Sequence, residues 1–269
     1  MRLLEDGRTG EVTVRTAQRY VQRTWNLHQL GRVHAPLADA IRRLLTPAEE
    51  RAVAPIEQLR AEVNTLDTPL RRVDYGSGPR TSGVETVGTF SMASSKSARW
   101  CRLLFKLVRD LRPLSCLEMG TAVGISGAYQ AAALAMNGNG HLVTLEGDPS
   151  LAEIAQGNLR RLGLTAEVVV GRFQDTLPKA LKNRPDYVFV DGHHDETATL
   201  DYFEQIIPTL ADPALVVFDD IAWSDGMRRA WAAITQHQRV ALAADLGTLG
   251  LCIVRGTVAG QRYHLRIPA

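Results

Sequence analysis

Two short stretches concentrate residues able to do chemistry: Val190-Asp191-Gly192-His193-His194-Asp195 and Val217-Phe218-Asp219-Asp220. Each places carboxylates directly after an apolar run. If those runs are neighbouring strands, Asp191, Asp219 and Asp220 converge on one spot. Crowded carboxylates repel and raise each other's pKa. A hard divalent cation relieves this, and Mg2+ is commonly held by carboxylates together with water and substrate oxygens. The three acids are therefore a candidate metal centre. In the competing reading only Asp191 and one of the pair face the cleft, and the other caps the following helix. The adjacent histidines point to different sides if the loop is extended. At most one of His193 and His194 then enters the chemistry, and a lone loop histidine is commonly only solvated.

Three further stretches have the character of a ligand cradle. Glu118-Met119-Gly120-Thr121-Ala122-Val123-Gly124-Ile125-Ser126 places Gly120 where a strand must turn sharply, and Gly124 where a helix can start close to a ligand. Its spacing, ExGxxxGxS, is not the GxGxxG dinucleotide fingerprint. A carboxylate at Glu118 is a poor neighbour for phosphate and suits a ligand with a cationic amine; the alternative is a bare strand–helix turn. Glu146 closes Val143-Thr144-Leu145, where an acid accepts hydrogen bonds from both ribose hydroxyls of an adenosine ligand; the alternative is a solvated strand-end acid. In Gly171-Arg172-Phe173-Gln174-Asp175, Phe173 and Gln174 can flank an adenine face and edge. Asp175 serves equally well as an N-cap.

These residues need a scaffold that brings strand ends together. Apolar runs at Ser115–Met119, His141–Leu145, Ala166–Val170, Tyr187–Val190, Leu215–Phe218, Val240–Leu246 and Leu249–Val254 read as strands. Helices fit between them at Ser126–Met136, Pro149–Leu162, Thr176–Asn183, Glu196–Leu210 and Asp225–Gln236, and an apolar-faced helix at Ala98–Leu111 precedes them. Such alternation indicates a parallel sheet covered on both faces. Only Gly247-Thr248 separates the last two runs, too short for a helical crossover, so they pair antiparallel. The expected fold is a doubly wound α/β domain: a mostly parallel seven-stranded sheet, an antiparallel terminal hairpin and an N-terminal helical extension. In such sheets ligands sit beyond the carboxyl ends of the strands.

Residues 1–70 differ from the rest. Arg15–Leu30 and Leu37–Leu45 read as amphipathic helices, and Thr46-Pro47-Ala48-Glu49 opens a third that runs to about Asn64. This part is expected to be a helical cap or a dimerisation arm, giving a homodimer. Residues 71–97 read as a long Gly/Ser-rich loop, a kind that is commonly functional or disordered. Within it Tyr75 and Arg80 are candidate lid or substrate residues. His193 and Trp223 join them on the substrate side. Residues 98–269 form the main domain.

Composition narrows the function class. The 269 residues are 45% apolar and 22% charged, ordinary for a globular protein. Thirty-one basic against 29 acidic residues leave a net charge of +2, so no global attraction to nucleic acid or anionic membrane is expected. Cys101, Cys116 and Cys252 have neither CxxC nor histidine-paired spacing, which points to a reducing cytoplasm without disulfides or structural zinc. The N-terminus has no apolar signal-peptide region, and no apolar run approaches the roughly 18–20 residues of a membrane span.

Over about residues 98–255 the chain resembles the class I S-adenosylmethionine-dependent methyltransferases. The subtype it resembles is the small-molecule O-methyltransferases of the catechol kind and related bacterial sugar and polyketide enzymes. The motif from Glu118 to Ser126 is similar to that family's glycine-rich first motif, Glu146 to its ribose acid, and the Gly171–Asp175 stretch to its adenine-side loop. The resemblance makes S-adenosylmethionine the implied cofactor. Glu118, Gly120, Gly124, Ser126, Glu146, Phe173, Gln174 and Asp191 are the implied cofactor residues. Asp191 and Asp219 match metal-ligand positions, and Asp220 stands where catechol-type enzymes carry Asn. His194 occupies the place of their lysine base, as in some metal-dependent sugar methyltransferases. These departures bear on the acceptor and leave the cofactor reading intact.

The expected reaction is methyl transfer to a hydroxyl of a small molecule, assisted by Mg2+, with His194 as base and Asp191 beside it. Other readings are a nucleic-acid or protein methyltransferase, a NAD-dependent oxidoreductase and a non-catalytic nucleotide-binding partner. The first of these normally shows an aromatic-proline motif such as (D/N)PPY where this chain has Asp191-Gly192-His193-His194. The second lacks its glycine fingerprint. The third would be expected to lose the dense polar groups at the strand ends. Val73-Asp74-Tyr75-Gly76-Ser77-Gly78 is also DxGxG-like, but no apolar helix or acid-ended strand follows it, so it is not the primary cofactor loop.

Overall fold

The computed structural model describes residues 7–71, 73, 85–256, 258 and 260–267. The helical extension comprises α1 (Gly7–Val33), α2 (Ala35–Arg42) and α3 (Pro47–Val63). α3 begins as its sequence dictates: Thr46 Oγ1 accepts from the Glu49 amide (3.3 Å), and the Glu49 carboxylate accepts from the Thr46 amide (2.8 Å). That reciprocal pair satisfies two amides that a helix start otherwise leaves free.

The rest alternates strand and helix. β1 (Ser115–Met119), β2 (His141–Glu146), β3 (Glu167–Val170), β4 (Tyr187–Val190) and β5 (Ala214–Phe218) pair in parallel. β6 (Val240–Asp245) and β7 (Gly250–Val254) form the expected antiparallel hairpin, with β7 inserted between β5 and β6. The sheet order is β3-β2-β1-β4-β5-β7-β6-β8. The winding reverses between β1 and β4, which opens a crevice at their carboxyl ends. The helices α4 (Val87–Ser94), α5 (Ala98–Leu111), α6 (Ile125–Asn137), α7 (Pro149–Arg161), α8 (Phe173–Ala180), α9 (Glu196–Ile206) and α10 (Asp225–Gln236) complete the fold.

The two faces of the sheet are buried in separate apolar clusters. One joins Leu103, Leu104, Leu107 and Val108 of α5 and much of α6 to Leu30, Leu37, Val53 and Ile56 of the extension. The extension thus shares a core with the main domain. The other joins Met119, Val188 and Val216 of the strands to Leu177, Phe203 and Ile234 of α8, α9 and α10.

Three sequence expectations need correction. Among the described residues the sheet has eight strands, because β8 (Tyr263–Arg266) pairs in parallel with β6 outside the hairpin. Four residues alternating half-buried and exposed after a polar linker carry little strand signal. Asn26 of α1 donates to the Arg266 carbonyl and ties the extension to this edge. Residues 71–97 are not all loop, since α4 lies within them. It is short and weakly amphipathic, held by reciprocal capping between Thr86 and Thr89 and by the Ser91 hydroxyl, which donates to Asn64 Oδ1 at 2.8 Å. Finally, α8 starts at Phe173, so Asp175 lies inside its first turn and is not the N-cap.

Candidate active site

The β1–α6 turn is built by close approach. Gly120 has φ +98°, and a Cβ there would stand 2.0 Å from the Asp191 carbonyl oxygen of the neighbouring strand end. Gly124, at φ +86°, starts α6 with its Cα face against Ala155 of α7, which a Cβ would meet at 3.1 Å. Only a residue without a side chain fits both needs.

Glu146 faces this turn from the end of β2. One carboxylate oxygen accepts from the Ala122 amide (2.8 Å) and the other from the Asp148 amide (2.9 Å). The Gly147 amide also bonds to this carboxylate. Burial raises the Glu146 pKa against the pull of those amides. Asp148 caps α7 and also accepts from the Val73 amide at 2.5 Å. The chain entering residues 74–84 is thereby anchored beside Glu146; Tyr75 and Arg80 lie outside the described residues.

Glu118 is placed differently from its sequence expectation. It is fully buried on the α6 side of β1, where Gln130 Nε2 and Thr144 Oγ1 each donate to it at 2.7 Å. Burial pushes its pKa up to about 7, against the hydrogen bonds of Ser126, Thr144 and Gln130. It locks α6 to the sheet and presents no open face to a cationic ligand, which corrects that expectation. Buried Ser126 belongs to the same lock.

Phe173 is buried too. Its ring meets His193 edge-on at 5.4 Å and Tyr202 at 5.7 Å, and it packs under Gly192. It supports the loop after β4 from below. Gln174 is exposed on α8. His193 has φ +56°, and its Nδ1 lies 2.7 Å from the Tyr202 hydroxyl. The two histidines therefore diverge, although the loop is not extended at His193.

His194 faces the acids: its Nε2 is 3.6 Å from Asp191 Oδ1 and 3.8 Å from Asp220 Oδ2. Burial lowers its pKa, opposed by Asp220 and Asp219. Asp219 is almost completely buried, and among the described residues its Oδ1 has no hydrogen-bond partner. Burial and the Asp219 charge push Asp191 well above the usual carboxylate range, against the attraction of Lys96. Asp220 is strained into the left-handed region (φ +49°), and the Trp223 amide closes the turn on its carbonyl at 2.9 Å. The Trp223 side chain is 72% exposed just beyond this turn.

Sequence reasoning missed one member of the cluster. The Lys96 ammonium contacts the Asp219 carboxylate and lies 3.4 Å from Asp220 Oδ1. Burial opposes its charge, but Asp191, Asp219 and Asp220 hold its pKa above the ordinary lysine value. Its backbone is fixed from the extension: Arg60 of α3 donates to the Lys96 carbonyl at 2.6 Å. Among the described residues no group of three or more His, Cys, Asp or Glu forms a ready metal cage. The donor set nevertheless suits a hard cation chemically, with three carboxyls against one ammonium and a buried oxygen unpaired. In this structure the Lys96 ammonium stands against both Asp219 and Asp220.

Residues 117–221 match a protein family described as a methyltransferase domain. Over 134 residues the chain is 33% identical to the catechol O-methyltransferase of Niastella koreensis, covering 48% of this chain and 59% of that protein. It is also 33% identical to the catechol O-methyltransferase of Mycobacterium tuberculosis over 133 residues, covering 49% of this chain and 59% of that protein. The matched region thus spans well under two thirds of these relatives' length. Among solved structures, the O-methyltransferase TomG from Streptomyces achromogenes, involved in tomaymycin synthesis and solved in complex with S-adenosylmethionine, superposes with a TM-score of 0.52. It is 29% identical, over 61% of this chain and 82% of that one.

Proposed function

We propose that this chain carries a class I S-adenosylmethionine-dependent O-methyltransferase domain and that it methylates a hydroxyl oxygen of a small molecule. The observation that carries the reading is the placement of His194 and three carboxyls at the ends of β4 and β5, beside the β1–α6 turn and Glu146.

Glu146 would accept from the ribose hydroxyls, and the bare turn at Gly120 would let the cofactor lie across the end of β1. When bound, S-adenosylmethionine would supply the methyl group for in-line transfer to the acceptor oxygen, with the carbon–sulfur bonding pair left on sulfur as S-adenosylhomocysteine. The acceptor proton passes to His194, whose lowered pKa keeps the ring neutral near pH 7 and able to take it. Alignment within a closed site supplies much of the rate enhancement in such a displacement.

A divalent cation is part of the proposal. Asp191, Asp219 and Asp220 would hold it, and when bound it would lower the pKa of an acceptor hydroxyl. Exposed Trp223 would form an aromatic wall for the acceptor. Tyr20, Val21 and Trp25 of α1 are exposed, which supports the N-terminal helices as a homodimer surface. Three buried free cysteines suit a reducing cytoplasm. The direct test offers labelled S-adenosylmethionine with a panel of catechols, sugars and polyketide phenols, and locates the methyl group by mass spectrometry. Label on oxygen supports the reading. Label on nitrogen of protein or nucleic acid, with none on the panel, would replace it.

A further inference from the structure

Lys96 contributes the cation that stands among the three carboxyls, and it reaches them from far away in sequence. Its main chain does not move freely. Arg60 donates to its carbonyl at 2.6 Å, and Cys101 Sγ lies 3.4 Å from the same oxygen. Arg60 is itself held by Glu57, at 3.0 Å. The backbone is thus pinned to α3 and α5, while the ammonium sits at the end of four methylenes with rotatable bonds. This is a fixed post with a swinging charge.

Resting on the reading of the cluster as a metal centre, we propose that Lys96 is a built-in counter-ion that competes with the divalent cation for Asp219 and Asp220. With no metal bound, the ammonium pairs with the buried Asp219 and holds the acids together. A metal ion and the ammonium cannot both occupy the Asp219 oxygen that Lys96 contacts, and the two cations repel at that distance. Metal entry therefore requires the Lys96 head to swing off Asp219. The lysine weakens metal binding while it supports the metal-free fold.

The sign of its removal is the distinguishing feature. A lysine that only packs or braces the site would, when truncated, weaken metal binding and lower the melting temperature together. A competing counter-ion gives opposite effects. Without it the buried carboxylate is left uncompensated, so the metal-free protein becomes less stable. The same loss frees the carboxylates for the metal, so affinity rises.

The test uses the full chain as wild type, Lys96→Met, Lys96→Gln and Lys96→Arg. Mn2+ binding is read from the free-ion electron paramagnetic resonance signal, and melts are recorded in EDTA and in Mg2+. A melt with S-adenosylhomocysteine confirms that each variant is folded. The expected result is that Lys96→Met and Lys96→Gln bind Mn2+ about tenfold more tightly than wild type, within the usual range of coupling between two bound species. In EDTA they melt several degrees lower, and Mg2+ raises their melting temperature more than it raises that of wild type. Lys96→Arg keeps the charge and gains no affinity. If Met does not fold, Gln carries the comparison. Unchanged or weaker Mn2+ binding in the neutral variants would overturn the proposal while leaving the metal centre in place. If no form binds Mn2+ although S-adenosylhomocysteine still stabilises all of them, the metal centre itself falls, and the competition with it.

Discussion

Substituting Glu118 by Gln should stabilise this protein above neutral pH, although it removes a fully buried, doubly hydrogen-bonded side chain. Burial places the Glu118 pKa at about 7, against an ordinary 4.5. Between those values the native state holds a proton that the unfolded chain has released. Stability therefore falls as pH rises through that window and is lowest above pH 7. At about 1.4 kcal/mol per pH unit, the gap amounts to roughly 3 kcal/mol. Gln is nearly isosteric and cannot ionise. Its amide oxygen can accept from Gln130. Its NH2 group can face Thr144, whose hydroxyl is free to donate instead to Thr121 Oγ1, 2.6 Å away. Urea unfolding of wild type and Glu118→Gln at pH 5, 6, 7 and 8 reads the effect. The expected curves lie within about 1 kcal/mol at pH 5, the worth of one hydrogen bond, and diverge by about 2–3 kcal/mol in favour of Gln at pH 8. Parallel curves across this range would refute the reasoning, because they would mean that Glu118 does not titrate differently in the folded state.

Other substitutions probe the site and its supports. His194→Ala should lower turnover by about 10²–10⁴, the usual range for a lost general base, while the dissociation constant of S-adenosylhomocysteine stays unchanged. Unaltered turnover at saturating substrates would remove His194 from the reaction. Gly120→Ala should cost about 3 kcal/mol from the clash with the Asp191 carbonyl and the left-handed backbone, a melting shift of about 6–12 °C; a shift below 2 °C would show that the turn is not held closed. Arg60→Ala removes the donor to the Lys96 carbonyl. It should destabilise by about 1–3 kcal/mol and lower turnover, although Arg60 lies on the helical extension. A stability loss with normal turnover would make Arg60 a structural residue only.

The winding of the sheet was legible because its signals are local. Runs such as Tyr187–Val190 and Leu215–Phe218 are buried end to end, as central parallel strands must be. The Gly247-Thr248 spacing fixed the final hairpin, and Thr46 with Glu49 fixed the start of α3. β8 and α4 escaped because neither has a periodic apolar pattern long enough to read. Each is stabilised by contacts made elsewhere, by pairing with β6 and by docking on Asn64. Within the site, acids at strand ends were recognisable as such. Which way each side chain points was not. Glu118 sits on β1 facing α6 and is consumed by Gln130 and Thr144, while Phe173 is consumed by the loop it supports. Lys96 carried no sequence signal. A lysine among serines reads as solvated, and only the docking of α3 and α5 carries it to residues more than 90 positions later in the chain. The Thr86-Val87-Gly88-Thr89 cap was the available hint that its surroundings are ordered.

On the proposed reading an adenosine-bearing sulfonium cofactor binds at the ends of β1 and β2, with Glu146 on its ribose. Calorimetric titration of S-adenosylhomocysteine into wild type and Glu146→Ala tests this most directly, with NAD+ as comparator. Saturable binding to wild type and no heat from NAD+ are expected. Affinity should be at least tenfold weaker in Glu146→Ala, matching the loss of about 1.5–3 kcal/mol for hydrogen bonds to a charged group. Equal affinity in the two proteins would contradict the placement of the ribose, and binding of NAD+ without S-adenosylhomocysteine would contradict the account as a whole.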